Sequence, residues 1–217
     1  MQVDIHGKYK MNIPVVYEDD WLLVVNKPQG LLTIPTPKNE TRTLTSVLNE
    51  DLEKKGKLYR LHPCHRLDRE TSGLIIYAKG KSIQKKIMDL FKYRKIKKKY
   101  LAFVQGILTT NQGEIKNTIA GQSAITKYKV IQRRKNFTIV EVVPLTGRTN
   151  QIRIHFKQIG NPIVGETKYA FRRDFRIKAK RLCLQASSLE FVHPITKEVI
   201  FLNTEIPTDL EEFLKKH

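Results

Sequence analysis

Two hydrophobic periods alternate along the chain. Residues 15–18 and 22–26 are short runs rich in β-branched residues around Asp19-Asp20, and they predict a pair of strands. Residues 43–55 put Leu44, Val47, Leu48 and Leu52 on one helical face, with Gly56 closing the helix. Residues 74–78 are apolar throughout and read as a buried strand, with Thr71, Ser72 and Gly73 as the turn before it. Residues 81–94 predict a second helix, with Ser82 as N-cap and Ile83, Ile87, Leu90 and Phe91 as its apolar stripe. Residues 100–106 alternate like a strand, and 115–119, 124–132 and 137–145 read as a meander. Thr149 or Asn150 can cap a helix running to Gly160 with Ile152, Phe156 and Ile159 inward. Residues 182–184, 187–193 and 199–203 predict the last strands. Residues 208–216 predict a closing helix with Thr208 and Glu211 as a capping box.

Composition narrows the class of partner. The 217 residues suffice for a single large domain or for a compact bipartite fold, and 40% of them are hydrophobic. Forty basic residues against 21 acidic ones give a formal charge of +19. Such an excess points first to nucleic acid and second to an anionic membrane surface. Residues 1–10 hold no apolar core of a signal peptide, and no segment approaches a membrane span, so a soluble, cytoplasmic protein is expected. Cys64 and Cys183, the only cysteines, fit a reducing compartment without a disulfide framework. The bases are clustered: 79–99 holds ten against the single acid Asp89, and 172–181 holds six against Asp174. Runs this one-sided read as phosphate tracks.

Three stretches carry candidate chemistry. In His65-Arg66-Leu67-Asp68-Arg69-Glu70 one carboxylate lies between two arginines on a loop beside a buried strand, rigidly held but able to reach a cleft. Lys27, in the shaped loop Asn26-Lys27-Pro28-Gln29-Gly30, is either a phosphate contact or an ordinary turn lysine. In Thr146-Gly147-Arg148-Thr149-Asn150-Gln151-Ile152-Arg153, Arg148 sits in a turn and Arg153 on the first turn of a helix. A cation there is disfavoured by the helix dipole unless it is paired, which predicts an anionic partner for Arg153. His62, Cys64 and His65 lack the further ligands a zinc site needs, so no metal is expected. Asp68 with Glu70 could form a carboxylate pair, as in a metal-dependent nuclease, although Glu70 could equally pair with a lysine. No phosphate-cradling or dinucleotide-binding glycine pattern and no serine-nucleophile motif is present.

Together these stretches resemble the RluA-type pseudouridine synthases over residues 13–207. The resemblance rests on Asn26-Lys27-Pro28-Gln29-Gly30-Leu31, on the stretch from His65 to Gly73, on Lys99-Tyr100-Leu101-Ala102, and on Thr146-Gly147-Arg148-Thr149 with Gln151-Ile152-Arg153. It implies an α+β fold with a large mixed, mainly antiparallel sheet, flanking helices and a central cleft. It also implies a catalytic domain over 13–217 preceded by an extension of residues 1–12, without the small RNA-binding domain that often precedes it. It assigns catalysis to Asp68, Tyr100 and Arg153: Asp68 as nucleophile, Arg153 as its charge partner, and Tyr100 stacking on the uracil. Arg66 matches the arginine that fills the space left by a flipped base, and Lys27, Arg148, Lys97, Lys98 and Lys99 are candidate RNA contacts. The implied partner is rRNA or tRNA, with no cofactor, and a monomer is expected. Asn150, Glu166 and Gln185 depart from the family pattern, which usually has histidine, aspartate and histidine there. The rival from another class is a non-catalytic RNA-binding or ribosome-assembly protein on the same scaffold.

Overall fold

The computed structural model describes residues 2–5, 9–38 and 40–217, with side chains from residue 13 onward. The first strands and helices are β1 (Gln2–Ile5), β2 (Tyr9–Asn12), β3 (Val15–Glu18), β4 (Leu22–Lys27), α1 (Leu44–Lys54), β5 (His62–Pro63), β6 (Ser72–Ala78) and α2 (Lys81–Lys92). Then come β7 (Lys97–Gln105), β8 (Gln112–Ile119), β9 (Gln122–Arg133), β10 (Phe137–Pro144), α3 (Gln151–Gln158), β11 (Leu184–Val192), β12 (Val199–Asn203) and α4 (Thr208–Lys216). The architecture is α+β: ten strands, β3 to β12, form the sheet, and β1 with β2 makes a separate hairpin within the expected extension. The chain divides into two compact units, one of residues 1–97 with 188–204 and one of residues 98–187 with 205–217.

In the first unit the strand order is β3-β4-β6 followed by the second half of β11, with β5 on β6 and β12 on β11. The β3–β4 and β4–β6 pairs are antiparallel. Asp19 makes the β3–β4 turn, its Oδ1 accepting from the N–H groups of Trp21 and Leu22 at 2.8 and 2.6 Å. Every residue of β6 is buried, as its apolar run demanded. Ser72 and Gly73 are already strand, because β4 pairs with this end of β6 and converts expected turn residues into ladder residues. Helix α1 buries Leu44, Val47, Leu48 and Leu52, and its cap is Thr43, which exchanges hydrogen bonds with Ser46. On α2 the expected stripe faces a core of Leu22, Val24, Leu74, Ile76 and Phe191. Its N-cap is Gly80 rather than Ser82, with a φ of 141° that suits glycine.

In the second unit the order runs from the first half of β11 through β7, β10 and β9 to β8, and β7–β10, β10–β9 and β9–β8 are antiparallel. Alternation along β7 sends Ala102 and Val104 to a core shared with Val140, Val142, Ile152 and Phe156. Phe103 goes to the opposite core, with Phe137, Val164 and Leu210 of α4. Three expectations are corrected here. Residues 182–184 and 187–193 belong mostly to one strand, β11, which runs through Gln185, buried with its Nε2 donating to Glu205 O at 2.7 Å. Ile159 follows α3 and is 36% exposed rather than inward. Helix α4 begins at Thr208 with Pro207 as cap, so Thr208 and Glu211 form no capping box.

Candidate active site

Asp68 lies on the loop between β5 and β6, half-buried, with Arg66 and Arg69 exposed on either side. Two clamps fix this loop. On one side Thr33 is buried: its Oγ1 donates to Leu67 O at 3.0 Å and accepts from Leu67 N–H at 3.1 Å. On the other side Gly30 N–H donates to Arg69 O at 2.8 Å, and Arg69 Nε returns a bond to Gly30 O at 3.2 Å. Lys27 completes that clamp. Its Nζ donates to the carbonyls of Leu31 at 2.7 Å, Pro28 at 2.9 Å and Arg69 at 3.3 Å, and the side chain is fully buried. The phosphate contact expected of Lys27 is corrected accordingly: its ammonium is enclosed by the loop it organises. Ile76 N–H donates to His65 Nε2 at 3.0 Å, and burial pushes the Cys64 thiol up to about 12.

In the second unit Tyr100 stands on β7, partly buried against the Val140–Phe156 core and paired in register with Val142. Lys98 is two residues earlier and therefore on the same face as Tyr100. Burial holds its ammonium below the ordinary lysine value. Arg153 is 2% exposed on the first turn of α3. The anionic partner its position called for is present in Glu166, itself fully buried. Arg153 Nε donates to Oε2 at 2.6 Å and Nη2 to Oε1 at 2.8 Å, a bidentate fork. Burial pushes the Glu166 carboxyl up, but the Arg153 hydrogen bond, the N–H groups of Lys168 and Tyr169 and the arginine charge outweigh it. The carboxyl is held below its usual range.

Asn150 and Tyr169 finish this cluster. Asn150 is the N-cap residue of α3 by position, but it is left-handed at φ 54° and its side chain caps nothing. Its Oδ1 accepts from Arg153 Nη1 at 3.1 Å and its Nδ2 donates to Tyr169 Oη at 2.8 Å. The Tyr169 ring lies 5.4 Å from the Arg153 guanidinium carbon. Asn150 and Glu166 had stood out as departures from the family pattern, and both lie against the same arginine. Tyr169 gave no signal in the sequence. Gly165 sets Glu166 in place: at φ +81° it lies so close to Arg181 O that a Cβ would collide with that carbonyl.

The remaining basic candidates separate by environment. Arg148 is exposed in the turn before α3, which Gln151 braces: Oε1 accepts from Arg148 N–H and Thr146 Oγ1, and Nε2 donates to Ile125 O and Thr126 Oγ1. Lys97 pairs with Glu190 at 2.6 Å and Lys99 with Glu141 at 3.0 Å, both at the surface. Lys81, Lys85, Lys86 and Lys92 of α2 are exposed, followed by Arg94 and Lys95. Among the described residues no three histidine, cysteine, aspartate or glutamate side chains gather as a metal site, and no helix is long and apolar enough to cross a membrane.

A family model described as RNA pseudouridylate synthase matches residues 21–158, which take in the Asp68 loop, Tyr100 and Arg153. The chain belongs to this family. Its members are isomerases that act on RNA, and this chain is one of them. It is 34% identical over 209 residues to the dual-specificity RNA pseudouridine synthase RluA of Haemophilus influenzae, covering 89% of this chain and 93% of that one. Identity to the RluA of Pasteurella multocida is 37% over 202 residues, covering 86% and 90%. Among solved structures, human RNA pseudouridylate synthase domain containing 4 shares the fold with a TM-score of 0.78 at 24% identity, over 93% of this chain and 92% of that chain.

Proposed function

We propose that this pseudouridine synthase modifies specific uridines of rRNA or tRNA in the cytoplasm, with Asp68 as nucleophile. The reaction is an isomerisation. The bond from uracil N1 to the ribose breaks, a bond from carbon 5 forms, carbon 5 loses a proton and N1 gains one. No oxidant, reductant or cofactor is consumed. Asp68 attacks the sugar or the base, Arg153 keeps the carboxylate ionised by charge pairing, and Tyr100 stacks on the uracil and takes the carbon-5 proton. The target base leaves its stack, and Arg66 fills the vacated space.

The observation that carries this reading is the doubly clamped loop that presents Asp68 half-exposed between two exposed arginines. A nucleophile has to be rigid and reachable at once, and the Lys27 and Thr33 clamps supply the first without costing the second. Arg148 and the bases of α2 supply phosphate contacts, and Lys97 and Lys99 join them by exchanging exposed protein carboxylates for RNA phosphates. Relatives carry names for both kinds of target breadth. One is called dual-specificity, and another, from Pasteurella multocida, is called ribosomal large subunit pseudouridine synthase D and is 32% identical over 235 residues.

The test is pseudouridine mapping across total RNA with and without the protein. It should be followed by tritium release from carbon-5-labelled substrate by the parent and by Asp68→Asn. Turnover should vanish in the variant while RNA binding persists. Activity within about tenfold of the parent would remove Asp68 from the chemistry.

A further inference from the structure

Phe171 is 63% exposed on the basic loop that follows Glu166. A single exposed aromatic is ordinary, but this one is held and framed. Its N–H donates to Asp174 Oδ2 at 2.7 Å, across a short 3-10 turn of Arg172–Asp174. The same Asp174 oxygen accepts from Lys157 Nζ of α3 at 2.7 Å, which fastens the loop to a helix. Lys157 Nζ and the Arg173 guanidinium carbon each lie over the Phe171 ring, 5.5 Å from its centroid. The loop is also continuous with the segment that binds Arg153, since Glu166 and Tyr169 precede Phe171 by five and two residues. Beyond it, 172–181 carries six bases, and its single acid, Asp174, is engaged by Lys157.

A fixed aromatic ring beside two cations is suited to unpaired nucleic acid. An incoming base takes a ring face in place of a loosely held cation, which swings outward to meet a flanking phosphate. An apolar protein partner would match the ring, but it would not answer the excess of base over acid in 172–181.

We propose that Phe171, framed by Lys157 and Arg173, is a stacking platform for an unpaired base of the RNA substrate, distinct from the uracil assigned to Tyr100. The proposal rests on the chain acting on RNA and names a contact that sets which RNA it holds. In turnover, Phe171→Ala should raise KM more than it lowers kcat, because the contact is made before and during the reaction alike.

The decisive measurement uses the full chain and two labelled probes, a dodecamer of uridine and an abasic ribose-phosphate chain of the same length. Phe171→Ala should weaken oligouridine binding by about tenfold and abasic binding by less than about twofold, because only the first probe offers a face to stack. Phe171→Trp should keep the affinity. Its added emission, beside that of Trp21, the chain's single tryptophan, should be quenched by oligouridine and not by the abasic chain. An oligouridine affinity within about twofold of the parent in Phe171→Ala, an equal loss on both probes, or unquenched emission in Phe171→Trp would each overturn the platform. Failure of the enzyme reading is separate, since it would show as a parent protein that forms no pseudouridine whatever residue stands at 171.

Discussion

Lys27 combines full burial with a charge, and it does so by donating to three carbonyls of the two loops it joins. Lys27→Met keeps the length and removes the donors, leaving buried oxygens unsatisfied at a cost of about 1–3 kcal/mol. A lower melting temperature and a sharp loss of turnover are expected, with the salt dependence of RNA binding unchanged. A salt slope reduced by about one, with stability intact, would instead mark a phosphate contact. The Arg153–Glu166 fork is a second residue-scale device. Removing either partner strands a buried charge, so Arg153→Ala and Glu166→Ala should each cost about 3–5 kcal/mol in chemical denaturation. The double variant should cost less than the sum, and additive losses would mean the fork contributes no coupling. The Glu166 carboxyl is held low in the folded protein. Its stabilising contribution is therefore complete above the ordinary carboxylate range and is lost as pH falls through the depressed value. Glu166→Gln should remove that acid limb from a plot of stability against pH.

At the scale of elements, periodicity located the strands and helices well and their ends poorly. The four apolar positions named on α1 are all buried, and Thr43 caps it as a side chain should. Ser82 and Thr208 are equally good caps by type, yet neither serves, because the chain enters α2 through a positive-φ glycine and α4 through Pro207. Entry geometry is set by what precedes the helix, which a local pattern does not contain. Gly165 shows the same dependence more sharply. Its requirement comes from Arg181, sixteen residues away in sequence, whose carbonyl occupies the space of a Cβ. Gly165→Ala cannot be relieved by a rotamer change, because the obstacle is backbone. It should lower the melting temperature strongly and loosen Glu166 from Arg153, and a thermal transition within a degree or two of the parent would contradict the close approach.

At the scale of the whole molecule the charge of +19 dominates. RNA binding should fall steeply with salt, by about 10³ between 50 and 200 mM if about six phosphates are neutralised. The ten bases of 79–99 do not share this role equally. Lys97 and Lys99 already face carboxylates, and Lys98 is half-buried, whereas Lys85, Lys86 and Lys92 of α2 are exposed. Reversing the three α2 lysines to glutamate should flatten the salt slope and raise KM with little change in single-turnover rate. Reversing Lys97 and Lys99 should do so less, because each lysine has to give up a protein carboxylate before it can contact a phosphate and so contributes less to binding. Equal effects would show that the exposed ion pairs open at no cost.

The sequence by itself determined the α+β elements, the basic character, and the family through its His65–Gly73 and Thr146–Arg153 stretches. It also determined that Arg153 needs an anion, because a first-turn cation against the helix dipole is a local conflict. Only the tertiary structure decided that Glu166 meets that need, that Lys27 is an internal staple, and that two cations lie over Phe171. Each of those depends on a carbonyl, carboxylate or ring delivered by a distant segment, and residue type and spacing do not encode such an approach.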